Sequence, residues 1–172
     1  MAGDRLNEAN GLVFSNPGIT AVQRTTAALP FSDRPVGLSG KFRVSVDAGV
    51  PPGAYEVRVS GRHGLSNPRV FLVTSQASQL VSAVSHDPQV PTALPTGEFV
   101  NASCTAERRD WFAFELSETA DVRVSLLAGR VDSRMIGQLK VLDSNGHSLA
   151  VARGSDEFDP TIQLANLPAG VY

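Results

Sequence analysis

Nucleophilic catalysis needs a base within hydrogen-bond reach of the nucleophile and a third group to orient that base. This chain offers few residues for either task. His63, His86 and His147 are its only histidines, and each lies in a stretch that reads as a turn or a linker. His63 stands between Gly61 and Gly64, where exposure is the plain expectation, and no Gly-x-Ser-x-Gly elbow occurs. Cys104 is the single cysteine, with only Arg108 close enough in sequence to lower its pKa, so a small, mostly buried residue is expected there. No two histidines are spaced to share a metal. Calcium prefers several oxygen ligands from flexible loops. Asp143 and Asn145 in one turn, with Asp156, Glu157 and Asp159 in a second loop, carry such oxygens. Asp143, Asn145, Asp156 and Asp159 are therefore candidate calcium ligands, calcium being the one cofactor considered. The plainer reading is a hairpin turn and a solvated acidic loop. Arg108 and Arg109 beside Asp110 and Trp111 are candidate ligand contacts, with the indole as a stacking platform. The competing reading is a tryptophan packed at a sandwich edge.

Composition narrows the partners. The chain has 172 residues, 42% of them hydrophobic, enough for a packed core. Fifteen Lys and Arg face 17 Asp and Glu, a net charge of −2. Without a basic surplus to neutralise phosphates, nucleic acid is not an expected partner. Lys41 and Lys140 are the only lysines, a bias that codon usage explains as well as function does. One cysteine allows neither an internal disulfide nor a cysteine metal cage. No run approaches the roughly 20 apolar residues that span a bilayer, so membrane insertion is not expected. Met1-Ala2-Gly3-Asp4-Arg5 carries no apolar leader. A secreted protein would have its leader outside this chain.

The elements that must position these residues read as strands. Phe42, Val44 and Val46 alternate with Arg43 and Ser45; Tyr55, Val57 and Val59 alternate with Glu56, Arg58 and Ser60. The intervening Ala48-Gly49-Val50-Pro51-Pro52-Gly53 suggests that the two runs form a hairpin. A further strand is expected through Val70-Phe71-Leu72-Val73. Beyond it, Phe112, Phe114 and Leu116 share a face, as do Val122, Val124 and Leu126. Leu139 and Val141 lead to the tight turn Asp143-Ser144-Asn145-Gly146, and Leu149, Val151, Ile162 and Leu164 continue the alternation. Short strands at this spacing with Gly, Pro and Asn between them predict an all-β sandwich or barrel. Residues 76–97, rich in Ser, Gln, Thr and Pro, read as a linker between modules at 1–75 and 98–172. One short helix or edge strand is expected near Gln79–Val84.

An internal echo links the halves. Val50-Pro51-Pro52-Gly53-Ala54-Tyr55 resembles Leu167-Pro168-Ala169-Gly170-Val171-Tyr172. The first copy opens a strand, so the last strand of the second module is expected to continue past Tyr172.

Arg109-Asp110-Trp111-Phe112-Ala113-Phe114, Val122-Arg123-Val124-Ser125-Leu126, Leu139 through Gly146, Asp159-Pro160 and Pro168 through Tyr172 follow one another in a recognisable order. In that order and spacing, His86 to Tyr172 resembles the bacterial pre-peptidase C-terminal (PPC) domain, a jelly-roll-like β-sandwich appended to many secreted proteases and surface proteins. Leu12 through Ile19, with Val50 through Val73, resembles the Ig-like (IPT-type) module that often precedes such domains. The resemblance implies that both modules are cut at their outer ends. It also implies calcium near the entry segment of some relatives. Ile136, where relatives often carry Asp, and His86-Asp87-Pro88-Gln89 at the entry depart from that pattern and weaken the calcium expectation.

Together these readings lead to a non-catalytic accessory module pair of a secreted, periplasmic or cell-surface bacterial protein, with a structural, assembly or adhesion role. Its expected partners are other segments or copies of the parent protein that complete the sheets, or an extracellular polymer. The alternative is a domain that targets a secreted hydrolase to polysaccharide or protein. An enzyme is not expected.

Overall fold

The structure, a computed structural model, describes residues 9–27, 35–104 and 108–172. Met1–Arg5, read above for a leader, lies outside them. The chain is all-β: the described residues form sixteen strands and one 3-10 turn, Gly129–Val131. No helix among them is long and apolar enough to cross a membrane. Two compact units divide at Thr74/Ser75.

In the first unit, β1 (Ala9–Phe14), β4 (Gly53–Gly61), β5 (Gly64–Leu65) and β6 (Arg69–Val73) form an antiparallel sheet with β4 at its centre. β2 (Ile19–Thr25) and β3 (Gly37–Val46) form a second, two-stranded sheet. The expected hairpin of Phe42–Val46 with Tyr55–Val59 therefore does not form. Instead the turn at 47–52 carries the chain from one sheet to the other, held by Asp47 N–H to Gly18 O at 2.9 Å and Val50 N–H to Asp47 O at 3.0 Å. Alternation is met on both sheets: Ile19, Ala21 and Gln23 point inward on β2, as do Phe42 and Val44 on β3. The inward Gln23 is polar and fully used. Its Nε2 donates to Ala9 O at 2.9 Å and Leu38 O at 3.3 Å, tying β1 to the second sheet. Gly37 lies close to it: a Cβ there would stand 2.6 Å from the Gln23 amide oxygen, so a larger residue would displace that side chain.

The second unit absorbs the stretch expected to be a linker. β7 (Ser78–Leu80) pairs in parallel with β9 (Phe99–Asn101), and β8 (Thr92–Ala93) pairs in parallel with β10 (Phe112–Ala113). The prolines do disfavour long regular strands, so these pairings are two or three residues long. β11 (Glu115–Leu116) pairs with β16 (Gly170–Val171), β12 (Ala120–Ser125) with β15 (Thr161–Leu167), and β13 (Gln138–Leu142) with β14 (Ser148–Arg153). The β13–β14 hairpin turns at Asp143–Gly146, where Gly146 supplies φ of 82°. Its phase differs from expectation on one strand. Leu149 and Val151 are 41% and 50% exposed, while Ala150 and Ala152 face inward opposite Val141 and Leu139. The most buried apolar residues are Ala9 and Ile19 in the first unit and Ala128, Val141, Ile162 and Leu167 in the second.

The internal echo is structural as well as sequential. Tyr55 Oη donates to Pro51 O at 2.7 Å and Tyr172 Oη to Pro168 O at 2.8 Å, each reaching back four residues. The strand facing each corner also matches. Phe71 lies opposite Tyr55, and Val73 opposite Gly53. Phe114 exchanges two backbone hydrogen bonds of 2.9 Å with Tyr172, and Leu116 lies opposite Gly170. Phe114 and Tyr172 stack at 5.5 Å. Phe71 instead meets Phe14 edge-on at 5.2 Å. An isosteric Tyr55→Phe or Tyr172→Phe substitution keeps the ring and removes only the hydroxyl. Each is expected to lower stability by about 1 kcal/mol, measured as a urea midpoint shift at unchanged m-value. No shift in either variant would show that the corner hydrogen bonds contribute nothing.

Candidate functional site

The densest cluster of titratable side chains surrounds Asp110, at the entry to β10. The segment before it is held on both edges: Trp111 N–H donates to Ser85 O at 2.8 Å, and Trp111 O accepts from Thr92 N–H at 2.8 Å. Thr92 Oγ1 also accepts the Ser85 N–H at 2.9 Å, closing the loop 85–92 around this strand. Asp110 is thereby carried inward, its side chain 11% exposed, and His86 Nδ1 lies 2.9 Å from its Oδ1. That approach is misaligned for a hydrogen bond, and Oδ1 has no hydrogen-bond partner. The pair is an ion pair only when His86 is protonated. The same Nδ1 lies 3.3 Å from Arg109 O, and one N–H cannot serve both acceptors.

Cys104 completes the cluster. The residue is exposed rather than mostly buried as expected. Even so, partial burial of its thiol, the hydrogen bond to Asp110 and the charge of that carboxylate push its pKa up to about 11. The order of groups matters chemically. A cysteine nucleophile needs the imidazole next to sulfur and the carboxylate behind it. Here the carboxylate stands next to both, and with burial of the thiol it raises the sulfur pKa rather than lowering it. In the sequence Asp110 stands only as a neighbour of Arg109 and Trp111, and nothing local links it to His86 or Cys104.

The candidate calcium ligands do not converge. Asp143 Oδ1 accepts the Asn145 N–H at 2.9 Å and the His147 N–H at 2.8 Å, while Oδ2 lies 3.1 Å from His147 Nδ1. The backbone hydrogen bond from His147 is the largest cause holding the Asp143 pKa below its ordinary value. Asp159 serves another segment: Oδ1 accepts Gly129 N–H at 2.8 Å and Oδ2 accepts Arg130 N–H at 3.1 Å. Desolvation opposes ionisation of Asp159, but hydrogen bonds from Arg130, Gly129 and Ala128 outweigh it, and its pKa is lowered. Asp156 and Asn145 are exposed. Among the described residues no three of His, Cys, Asp and Glu are grouped to hold a metal. Asp121, which the sequence did not single out, acts in the same way as Asp159. Its Oδ1 accepts the N–H of Asn166 at 2.8 Å, where the chain adopts φ of 53°. Of the ligand-contact candidates, Arg108 and Arg109 are exposed and Trp111 is half-buried. No family profile, curated protein or solved structure matches the chain.

Two outcomes follow from this geometry. Replacing Asp110 by Asn removes the negative charge beside sulfur, so the Cys104 pKa should fall and iodoacetamide alkylation at pH 8 should accelerate about tenfold, one pKa unit of thiolate; an unchanged rate would mean that the carboxylate does not hold the proton. For Asp159, a folded pKa below the unfolded one stabilises the fold above about pH 4, and that contribution is lost as pH falls through the folded value. Asp159→Asn should therefore cost about 0.5–1 kcal/mol at pH 7, a charged hydrogen bond discounted for solvent screening. The deficit should shrink as pH falls below about 4, read from urea midpoints across that range.

Proposed function

We propose that this chain is a non-catalytic accessory module pair of a secreted or cell-surface bacterial protein, with a structural, assembly or adhesion role. The observation that carries this reading is how its polar side chains are used. Asp121, Asp143 and Asp159 accept backbone N–H groups that fix local geometry, and burial together with Asp110 raises the Cys104 pKa. Groups that would serve chemistry in an enzyme serve backbone geometry here. The repeated tyrosine corner supports a tandem arrangement of related small β modules, as the PPC-like and Ig-like resemblance implies. The assembly role draws support from the short sheets, since β2–β3, β12–β15 and β13–β14 are each two-stranded and have edges available to strands from copies or other segments of the parent protein.

The test is a panel of peptide, ester and glycoside substrates assayed with the chain and with a His86→Ala/Cys104→Ser variant. Equal, background-level rates are expected from both. Turnover that the double variant abolishes would make the Asp110 cluster catalytic and end this reading.

A further inference from the structure

The net charge of −2 conceals two units of opposite sign. Residues 1–74 carry eight Lys and Arg against five Asp and Glu, whereas residues 75–172 carry seven against twelve, formal charges of +3 and −5. In the first unit three of the cations, Arg24, Lys41 and Arg43, lie on β2 and β3. Because Ile19, Ala21 and Gln23 point inward on β2, and Phe42 and Val44 on β3, the alternation sends Thr20 and Val22 outward beside Arg43 and Ser45, while Arg24 and Lys41 are exposed where the register shifts between Gln23 and Thr25. Arg43 lies directly opposite Val22, and Ser45 opposite Thr20. Lys41 and Arg43 are two residues apart on one strand, a spacing of about 6.8 Å along it. Among the described residues no carboxylate pairs with Arg24, Lys41 or Arg43. A flat ribbon with three unpaired cations and two hydroxyls therefore faces solvent.

We propose that this outward face of the β2–β3 hairpin binds an extended anionic polysaccharide. Arg24, Lys41 and Arg43 would hold its carboxylate or sulfate groups, and Thr20 and Ser45 its hydroxyls. The composition of the face selects this partner. Val22, 71% exposed, is the one apolar side chain among these six, so the face lacks the buried aromatic or aliphatic anchors that protein partners use. It has no aromatic ring to stack single-stranded bases. Three cations also fall short of the six to ten phosphate contacts typical of duplex binding, roughly. Spaced anions on a hydroxylated chain suit it best. The inference deepens the adhesion role proposed above and rests on that reading in one respect: binding occurs without turnover.

The experiment is affinity co-electrophoresis of the full chain through polygalacturonate, dextran sulfate and neutral dextran. Retardation by at least one polyanion is expected at 50 mM salt, with none by neutral dextran. Binding should weaken about 20-fold at 200 mM salt, as three contacts that release about 0.7 counterion each require. The polyanion that binds more tightly assigns carboxylate or sulfate as the ligand group. Arg24→Ser/Lys41→Ser/Arg43→Ser should lose at least tenfold in affinity with an unchanged circular dichroism spectrum, and Arg108→Ser/Arg109→Ser should lose none. Should the triple variant misfold, Arg43→Ser alone is expected to lose about threefold. No retardation, retardation insensitive to these variants, tighter binding to duplex DNA, or self-association abolished by the triple variant would each overturn the proposal. Release of reducing ends from a retained polymer would overturn the non-catalytic reading and leave the binding face standing.

Discussion

A tyrosine hydroxyl that reaches back four residues to a proline carbonyl determines how each unit begins a strand. The proline cannot donate, and its fixed φ holds the chain in an extended turn. The carbonyl at that position would otherwise face water. The hydroxyl takes it, and the aromatic ring is then committed to the sheet face opposite a phenylalanine, Phe71 in one unit and Phe114 in the other. The glycine between proline and tyrosine completes the match: Gly53 and Gly170 each lie opposite an aliphatic residue, Val73 and Leu116, across the ladder. The order of these partners along the chain is reversed between the units. β6 follows its corner, and β11 precedes its own. The corner is thus a local device that accepts a suitable strand from either direction in sequence. The second member of such a pair needs only the pattern Phe-x-aliphatic.

Packing around these corners is shallow. Each unit buries only a few apolar side chains deeply, and several are small, such as Ala9 and Ala128. On the β13–β14 hairpin a small residue is set against each large inward one: Val141 meets Ala150 and Leu139 meets Ala152. Close approach of backbone and side chain substitutes for bulk, as Gly37 does against Gln23 and Gly137 against Leu126. With limited hydrophobic burial, cross-sheet hydrogen bonds such as those of Gln23 bear a larger share of specificity, since each is lost only when the sheets part.

The acidic side chains of the second unit show the same economy. Asp121, Asp143 and Asp159 each accept N–H groups in turns or bulges, where short carboxylates satisfy donors that no ladder reaches. Asp110 differs because it faces a thiol and an imidazole rather than amides. With burial of the thiol it raises the Cys104 pKa, and it does not form the relay that nucleophilic sulfur requires. The first unit carries its charge outward instead, on a ribbon whose other face is committed to the core. Opposite charge on the two units follows from these different uses.

Sequence by itself determined the all-β class, the β13–β14 hairpin and the kinship of the two proline–tyrosine segments, because alternation, turn chemistry and a four-residue hydrogen bond are local. Asp143 at its turn was legible for the same reason. Tertiary structure decided which strands pair. Phe42–Val46 and Tyr55–Val59 suit one hairpin, yet β3 takes β2 and β4 takes β1 and β6, since alternation marks a buried face without naming a neighbour. The phase of β14 was equally open: Leu149-Ala150-Val151-Ala152 is apolar on both faces, and the bulk of Leu139 and Val141 across the ladder sends the alanines inward. Residues 76–97 looked like a linker because two-residue strands are too short to show a period. His86 lies more than twenty residues from Asp110 in sequence, and only the loop closed by Ser85 and Thr92 brings the two together.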